Sequence, residues 1–156
     1  MLFKDKRGNE IVLENIDSDF KELNSKIKNL LFFILELEKI KNSRLEVFLV
    51  SENKIKEINK IYRKKNKSTN VLTFSYFNLE EKKMLRPDLN KKFLGEIFLA
   101  PDFIKRKKED ILYILIHGFL HLIGYVHSEK KNSIIMENKE REIISKFIRA
   151  KNNINV

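Results

Sequence analysis

The chain contains three histidines, and all of them fall inside eleven residues, as His117, His121 and His127 of the run HGFLHLIGYVH. Imidazole is the most frequent metal ligand among side chains, and these three are spaced to share one ion. At about 100° per residue, His117 and His121 lie roughly 40° apart on one face of a helix. Gly124 tolerates positive φ, so the chain can leave the helix there and bring His127 back to the same point. A lone His on an apolar helix is more often a hydrogen-bonded core residue, but three at this spacing reverse that reading. Three neutral imidazoles leave the fourth tetrahedral position of Zn²⁺ open to water, the arrangement of a catalytic rather than a structural site. One zinc ion per chain, held by His117, His121 and His127, is the expected cofactor, although nickel, copper or iron would accept the same ligands.

The element that must carry the first two ligands is legible around them. Glu109 to Ile123 has no Pro and is apolar for most of its length. It starts with Glu109 and Asp110, where the positive end of a helix favours acidic side chains, so a buried helix is expected there. The spacing H-x-x-x-H-x-x-G-x-x-H also occurs in the metzincin proteases, in which a Glu after the first His is the general base. In this chain that residue is Gly118. Proteolysis lacks its proton acceptor, and hydroxide supplied by the metal itself is the chemistry left to a hydrolase.

With 156 residues, the chain has the length of one domain, residues 1–156, burying about two thirds of its unfolded surface. It has no Cys, no apolar run approaching about 18 residues, and an N-terminus, MLFKDKRGNE, without a small-residue cleavage site. A soluble, cytoplasmic protein with no membrane association is expected. The net charge of +10 and a pI near 9.7 point to a polyanion such as RNA. Lysine is a weak witness, because Lys, Asn and Ile make up 61 of the 156 residues, a skew that AT-rich codon usage produces. Arginine is a better one. Arg63 stands among Lys60, Lys64, Lys65 and Lys67, and a planar guanidinium can grip a phosphate through two hydrogen bonds. On spacing alone, a solvated residue at a helix end is the commoner reading of such an Arg. The pairs Lys82-Lys83 and Lys91-Lys92 and the run at 105–108 read as solvated surface.

The remaining pattern is that of an α+β chain without repeats or a linker. Ile11 to Leu13 reads as a short edge strand after a Gly8-Asn9 turn. Phe20 to Ile40 reads as a long helix capped by Asp17, Ser18 or Asp19. A strand is expected at Leu45 to Val50, then a helix from the Ser51 cap to Tyr62 with Ile55, Ile58 and Ile61 inward. Val71 to Tyr76 and Glu96 to Ala100 are two more strands, and Phe77 to Lys92, with Pro87, is expected to be a mobile loop beside the site. Pro101 opens a short helix. A last helix runs from about Lys130 to Ile148 with Ile134, Ile135, Ile143, Ile144 and Phe147 toward the core, and residues 149–156 fray.

The histidine run resembles the H-G-x-L-H-L-x-G-Y-D-H signature of the YbeY endoribonucleases. Asn59, Tyr62, Arg63 and Lys65, followed by Thr69, Asn70, Val71, Leu72 and Phe74, resemble that family's N-x-x-Y-R-x-K-x-x-x-T-[DN]-V-L-S-F block. Leu94, Gly95, Glu96 and Ile97 are similar to its L-G-[DE]-I strand, and Met136 with Glu140 to its M-x-x-x-E. The likeness spans roughly Leu45 to Ile144. It implies a zincin-like α+β fold: a small mixed sheet of about four strands packed with helices, with the metal site on a central helix. It also implies a metal-dependent, single-strand-specific endoribonuclease acting late in 16S ribosomal RNA 3′-end maturation and in ribosome quality control. Its partners would be pre-ribosomal RNA, ribosomal proteins and the small ribosomal subunit. On this likeness Arg63 and His117 are the candidate catalytic residues, and Arg63, Lys64, Lys65 and Lys67 the candidate RNA contacts. Two departures stand out. The family's Asp before the third His is Val126, which removes a carboxylate from beside a ligand, and its Ser in V-L-S-F is Thr73. Met136 is a candidate to pack beneath the ligands, and Glu140 receives no firm role. Two other readings fit the residues: a ribosome-assembly factor whose metal only holds the fold together, and a general zinc hydrolase of small phosphoesters or peptides.

Overall fold

Alternating apolar residues build a mixed sheet, and the periodic apolar segments between them build the helices that cover it. The computed structural model describes residues 1–17, 19–78, 83, 84 and 91–154. In chain order the elements are β1 (Leu2–Lys4), β2 (Glu10–Asn15), a 3-10 turn (Lys21–Leu23), α1 (Asn24–Leu37), β3 (Ser43–Leu49) and α2 (Glu52–Arg63). There follow β4 (Val71–Ser75), the two-residue strands β5 (Phe77–Asn78) and β6 (Lys83–Met84), β7 (Lys92–Leu99), α3 (Pro101–Arg106), α4 (Ile111–Leu122) and α5 (Lys130–Ile154). The main sheet has the order β1-β2-β3-β7-β4; β2, β3 and β7 run parallel, and β1 and β4 are antiparallel edges.

The fold is α+β, with five strands in the main sheet rather than about four. The additional strand is β1, whose three residues are too few to show alternation. Its return to β2 is set by Asp5, whose Oδ1 accepts from the amides of Arg7 (2.9 Å) and Asn9 (2.8 Å). The segment expected to form an edge, Ile11 to Leu13, consequently lies inside the sheet.

On β3, Ser43, Leu45, Val47 and Leu49 are buried, while Arg44, Glu46 and Phe48 point the other way. The first face is covered by α1, through Ile27, Leu30, Leu31, Ile34 and Leu35, by α4 beside it, and by Met136, Ile143 and Phe147 of α5. The opposite face carries a smaller cluster under α2, in which Ile55, Ile58 and Leu72 meet Phe48, Phe74 and Phe98. β4 touches both layers, because Val71 and Thr73 face α4 while Leu72 and Phe74 face α2. Its neighbour β7 carries Gly95 at φ +140°, where a Cβ would come within 2.1 Å of the Phe74 carbonyl oxygen, so no side chain fits there.

Several expectations are corrected. Ile61 is exposed, because the last turn of α2 overhangs the sheet and Asn59 takes the inward position. Ile134 and Ile135 are half exposed, since α5 turns the stripe Met136, Glu140, Ile143 and Phe147 inward instead. The tail does not fray from residue 149: nothing in IRAKNNI breaks a helix, and α5 continues to Ile154 with Lys151 over the Phe147 ring. The expected side-chain cap is not formed: the N-caps of the 3-10 turn and of α1 are Phe20 and Leu23, Asp19 accepts only from the Lys21 amide at 3.1 Å, and Asp17 accepts from the amide (2.8 Å) and hydroxyl of Ser51. Ser18 lies outside the described residues. So do 79–82 and 85–90 of the expected mobile loop; its described parts include the β5–β6 pair.

Candidate metal centre

α4 starts where Asp110 accepts from the Leu112 amide at 2.9 Å, a cap worth about 1 kcal/mol, and eight of its twelve residues are buried. Gly118 marks its closest approach to β4: a Cβ there would stand 3.0 Å from Val71 Cγ2 and 3.3 Å from Thr73 Cγ2. A side chain at this position would require Val71 and Thr73 to give by a few tenths of an ångström, so Gly118 lets the helix lie close against β4. The helix ends in a Schellman turn, with the Tyr125 amide donating to Leu120 (2.9 Å), the Gly124 amide to His121 (3.1 Å), and Gly124 at φ +107°. That turn returns His127 to the helix end.

His117, His121 and His127 place one ring nitrogen each within 4.8 Å of one another, beside a cleft of about 420 Å³ that Thr73, Glu109 and Tyr113 also line. The second nitrogen of two rings is engaged. His121 Nδ1 lies 3.0 Å from the Tyr125 carbonyl oxygen, which can only accept, so this nitrogen carries the proton. His117 Nδ1 lies 2.7 Å from Glu140 Oε1 and donates to that carboxylate. With both Nδ1 atoms protonated, the two Nε2 atoms, 3.1 Å apart, present their lone pairs to the same point. Two acceptors at that distance repel unless a cation lies between them. Two imidazoles on one tetrahedral zinc stand about 3.3 Å apart, so this pair is already close to ligand spacing. The donor set fits a divalent ion, with His127, whose ring is exposed, completing it from the solvent side.

Glu140 is the residue that sequence reasoning undervalued. It is 3% exposed, on the inward stripe of α5, and lines one small pocket with Met136 and His117. Its carboxylate also faces the Tyr113 hydroxyl; hydrogen bonding first, then burial and charge, push that phenol up to about 12, so it stays protonated. By holding the proton of His117 on Nδ1, Glu140 turns Nε2 toward the cleft. Glu140→Ala is expected to weaken metal binding about 10- to 100-fold in competition with a chromogenic chelator. Unchanged affinity in a folded variant would leave Glu140 as a packing residue only.

Burial first, then the neighbouring His117 and His127, hold the pKa of His121 below its ordinary 6.5. The unfolded chain takes up a proton near 6.5 while the folded ring resists it, so acidification below that value favours unfolding. Metal-free protein is expected to lose melting temperature between about pH 7.5 and 5.5, and His121→Gln to remove that part of the slope. An identical slope in the variant would place the titration elsewhere.

The family model described as Endoribonuclease YbeY matches residues 10–148. The chain belongs to the YbeY family. An Endoribonuclease YbeY of Clostridium botulinum (strain Langeland) is 32% identical over 94% of this chain and 98% of its own. One from Francisella tularensis subsp. holarctica (strain OSU18) is 33% identical over 69% of this chain and 70% of its own. The solution structure of TM1509 from Thermotoga maritima is 28% identical, covers 92% of each chain and superposes with a TM-score of 0.57.

The YbeY-like block at 59–74 is brought to the cleft by the edge strand. Asn59 is buried and its side chain donates to the Lys67 carbonyl at 2.9 Å, pinning the loop that carries Lys64, Lys65 and Lys67. These three lysines are exposed, and among the described residues none pairs with a carboxylate. Arg63 Nη2 donates to the Thr73 carbonyl at 2.7 Å, with the guanidinium 5.0 Å from the centre of the Phe74 ring. Thr73 lines the cleft, and its outward carbonyl ties Arg63 to the outer edge of β4, outside the cleft's own lining. Val126, in place of the YbeY Asp, is half exposed beside His127. Among the described residues no helix is long and apolar enough to cross a membrane.

Proposed function

We propose that the chain is a metal-dependent endoribonuclease that cuts single-stranded RNA during ribosomal RNA maturation, with one zinc ion held by His117, His121 and His127. The observation that carries the reading is the pair of Nε2 atoms held 3.1 Å apart while the Nδ1 of each ring is engaged by an oxygen. Three imidazoles and no thiolate or carboxylate suit zinc among the common divalent ions. A bound zinc ion supplies a Lewis acid for a phosphodiester and for water.

The protein's own residues do the rest. Glu140 and the Tyr125 carbonyl hold two imidazoles in the tautomer that faces the cleft. Arg63 spends one of its five N–H donors on Thr73, and the others are free to take the non-bridging oxygens as negative charge grows on the scissile phosphate. Lys64, Lys65 and Lys67 follow the backbone of the strand. Late maturation near the 3′ end of 16S RNA, ribosome quality control, ribosomal partners and a cytoplasmic location rest on the likeness to YbeY endoribonucleases.

Elemental analysis of purified protein, followed by cleavage of unstructured and duplex RNA of equal length, tests the reading. About one zinc per chain and cutting of the unstructured RNA alone support it. Metal-loaded protein that cuts neither would overturn it. A 2′,3′-cyclic phosphate on the products would assign attack to the RNA 2′-hydroxyl, and a 3′-hydroxyl to water.

A further inference from the structure

At 66% exposure, Tyr62 is the most exposed large hydrophobic side chain among the described residues, and Ile61 beside it is 61% exposed. The position is not a loose helix end. The Tyr62 ring meets Phe74 edge-on at 5.4 Å, Phe74 meets Phe98 at 5.8 Å, and Phe98 stacks on Phe48 at 4.9 Å. Four rings thus run from the partly buried layer under α2 to the surface, and the outermost is braced from behind with much of its area in water. Such a ring offers a ready contact face at little cost in conformational entropy.

Its surroundings select the occupant. The acids of α2 are engaged elsewhere, Glu52 with Arg106 at 2.9 Å and Glu57 with Lys54 at 3.3 Å, so the end of the helix is cationic. Lys60, Arg63, Lys64, Lys65 and Lys67 surround the ring in sequence, and all are exposed. The adjacent guanidinium holds the carbonyl of Thr73, a residue that also lines the histidine cleft, so the ring and the arginine lie along the strand that borders the histidines. An exposed aromatic face set among cations is what a nucleic-acid strand needs: a surface for a base and charges for the phosphates on either side. A paired base keeps its faces inside the duplex stack and cannot use it.

We propose that Tyr62 is a stacking platform for an unpaired nucleobase of the RNA strand, next to the nucleotide whose phosphate meets Arg63. This rests on the endoribonuclease reading, and it gives the preference for single strands a residue. Tyr62 touches no reacting atom, so its contribution is to binding, equal in ground and transition states, and it enters KM rather than kcat.

The test is cleavage kinetics of metal-loaded protein on a short unstructured RNA. Tyr62→Ala is expected to raise KM about five- to a hundredfold with kcat within about twofold, and Tyr62→Phe to behave as wild type. The salt dependence of KM should keep its slope in Tyr62→Ala and flatten in Lys64→Ala, because the ring carries no charge. Substrates with one abasic sugar at each position in turn locate the stacked base: at one position the abasic substitution raises KM for wild type and abolishes the difference from Tyr62→Ala. The platform is overturned if Tyr62→Ala leaves KM unchanged, if Tyr62→Phe is as damaging as Ala, or if no abasic position couples to Tyr62. A wild-type protein that cuts no RNA would instead remove the reading on which the platform rests.

Discussion

His121→Ala is expected to leave the protein folded, without bound metal, and with RNA cleavage at background. A lost neighbour that merely orients a ligand costs about 10- to 100-fold in metal affinity, and removing a ligand outright should exceed that. His121 is the informative choice among the three. Its Nδ1 is tied to a backbone carbonyl at the helix end, which water can satisfy when the ring is gone. His117→Ala would instead leave Glu140, which is 3% exposed, with the Tyr113 hydroxyl but without its imidazole donor, at a cost of about 1–3 kcal/mol. Loss of activity in that variant would mix loss of the metal with loss of the fold. His127, exposed at the mouth, should give the mildest of the three metal defects. Elemental analysis, circular dichroism and a cleavage assay on the same preparation separate these outcomes. Full metal content in His121→Ala would show that the three imidazoles are not one ligand set.

The helix that carries the histidines was legible because several signals coincide in one short run. An acidic cap, a nearly continuous apolar stretch, two histidines at helical spacing and a Gly that ends the helix all require the same element. Glu140 was hidden for a different reason. It lies 23 residues from its partner on another helix, so no local spacing connects them. A signal existed nonetheless: Met136, Glu140, Ile143 and Phe147 share one helical face, and a carboxylate on an apolar stripe needs a buried donor. The adjacent Ile134 and Ile135 obscured that stripe by suggesting a neighbouring one. Tyr62 illustrates the converse limit. Sequence periodicity turns Ile61 inward with Ile55 and Ile58, but it cannot say that the sheet ends beneath the last turn of α2. Where the sheet ends depends on strand order, which is set by long-range pairing and leaves no mark in a window of neighbouring residues.

Strand order also decides what Arg63 can do, and Arg63→Ala is expected to lower kcat about 100- to 1,000-fold while RNA affinity falls only a few-fold. β4 is the sheet's edge, so the Thr73 carbonyl points outward and is free to accept from an arginine on the far layer. That bond and the Phe74 ring hold the guanidinium before substrate arrives, and a donor already in place stabilises transition-state charge without reorganising. The same anchoring predicts poor rescue by Arg63→Lys. An ammonium can contact the carbonyl or the phosphate, but it lacks the planar fork that reaches both. Stability should be little affected, because the Thr73 carbonyl at an open edge can turn to water. Binding should weaken only modestly, since Lys64, Lys65 and Lys67 remain to meet the backbone; the salt slope should shrink by about 0.7, one phosphate contact on a single strand. Should Arg63→Ala cut RNA within about threefold of wild type, the guanidinium would be a brace for β4, and the charge on the scissile phosphate would have to be met by the metal alone.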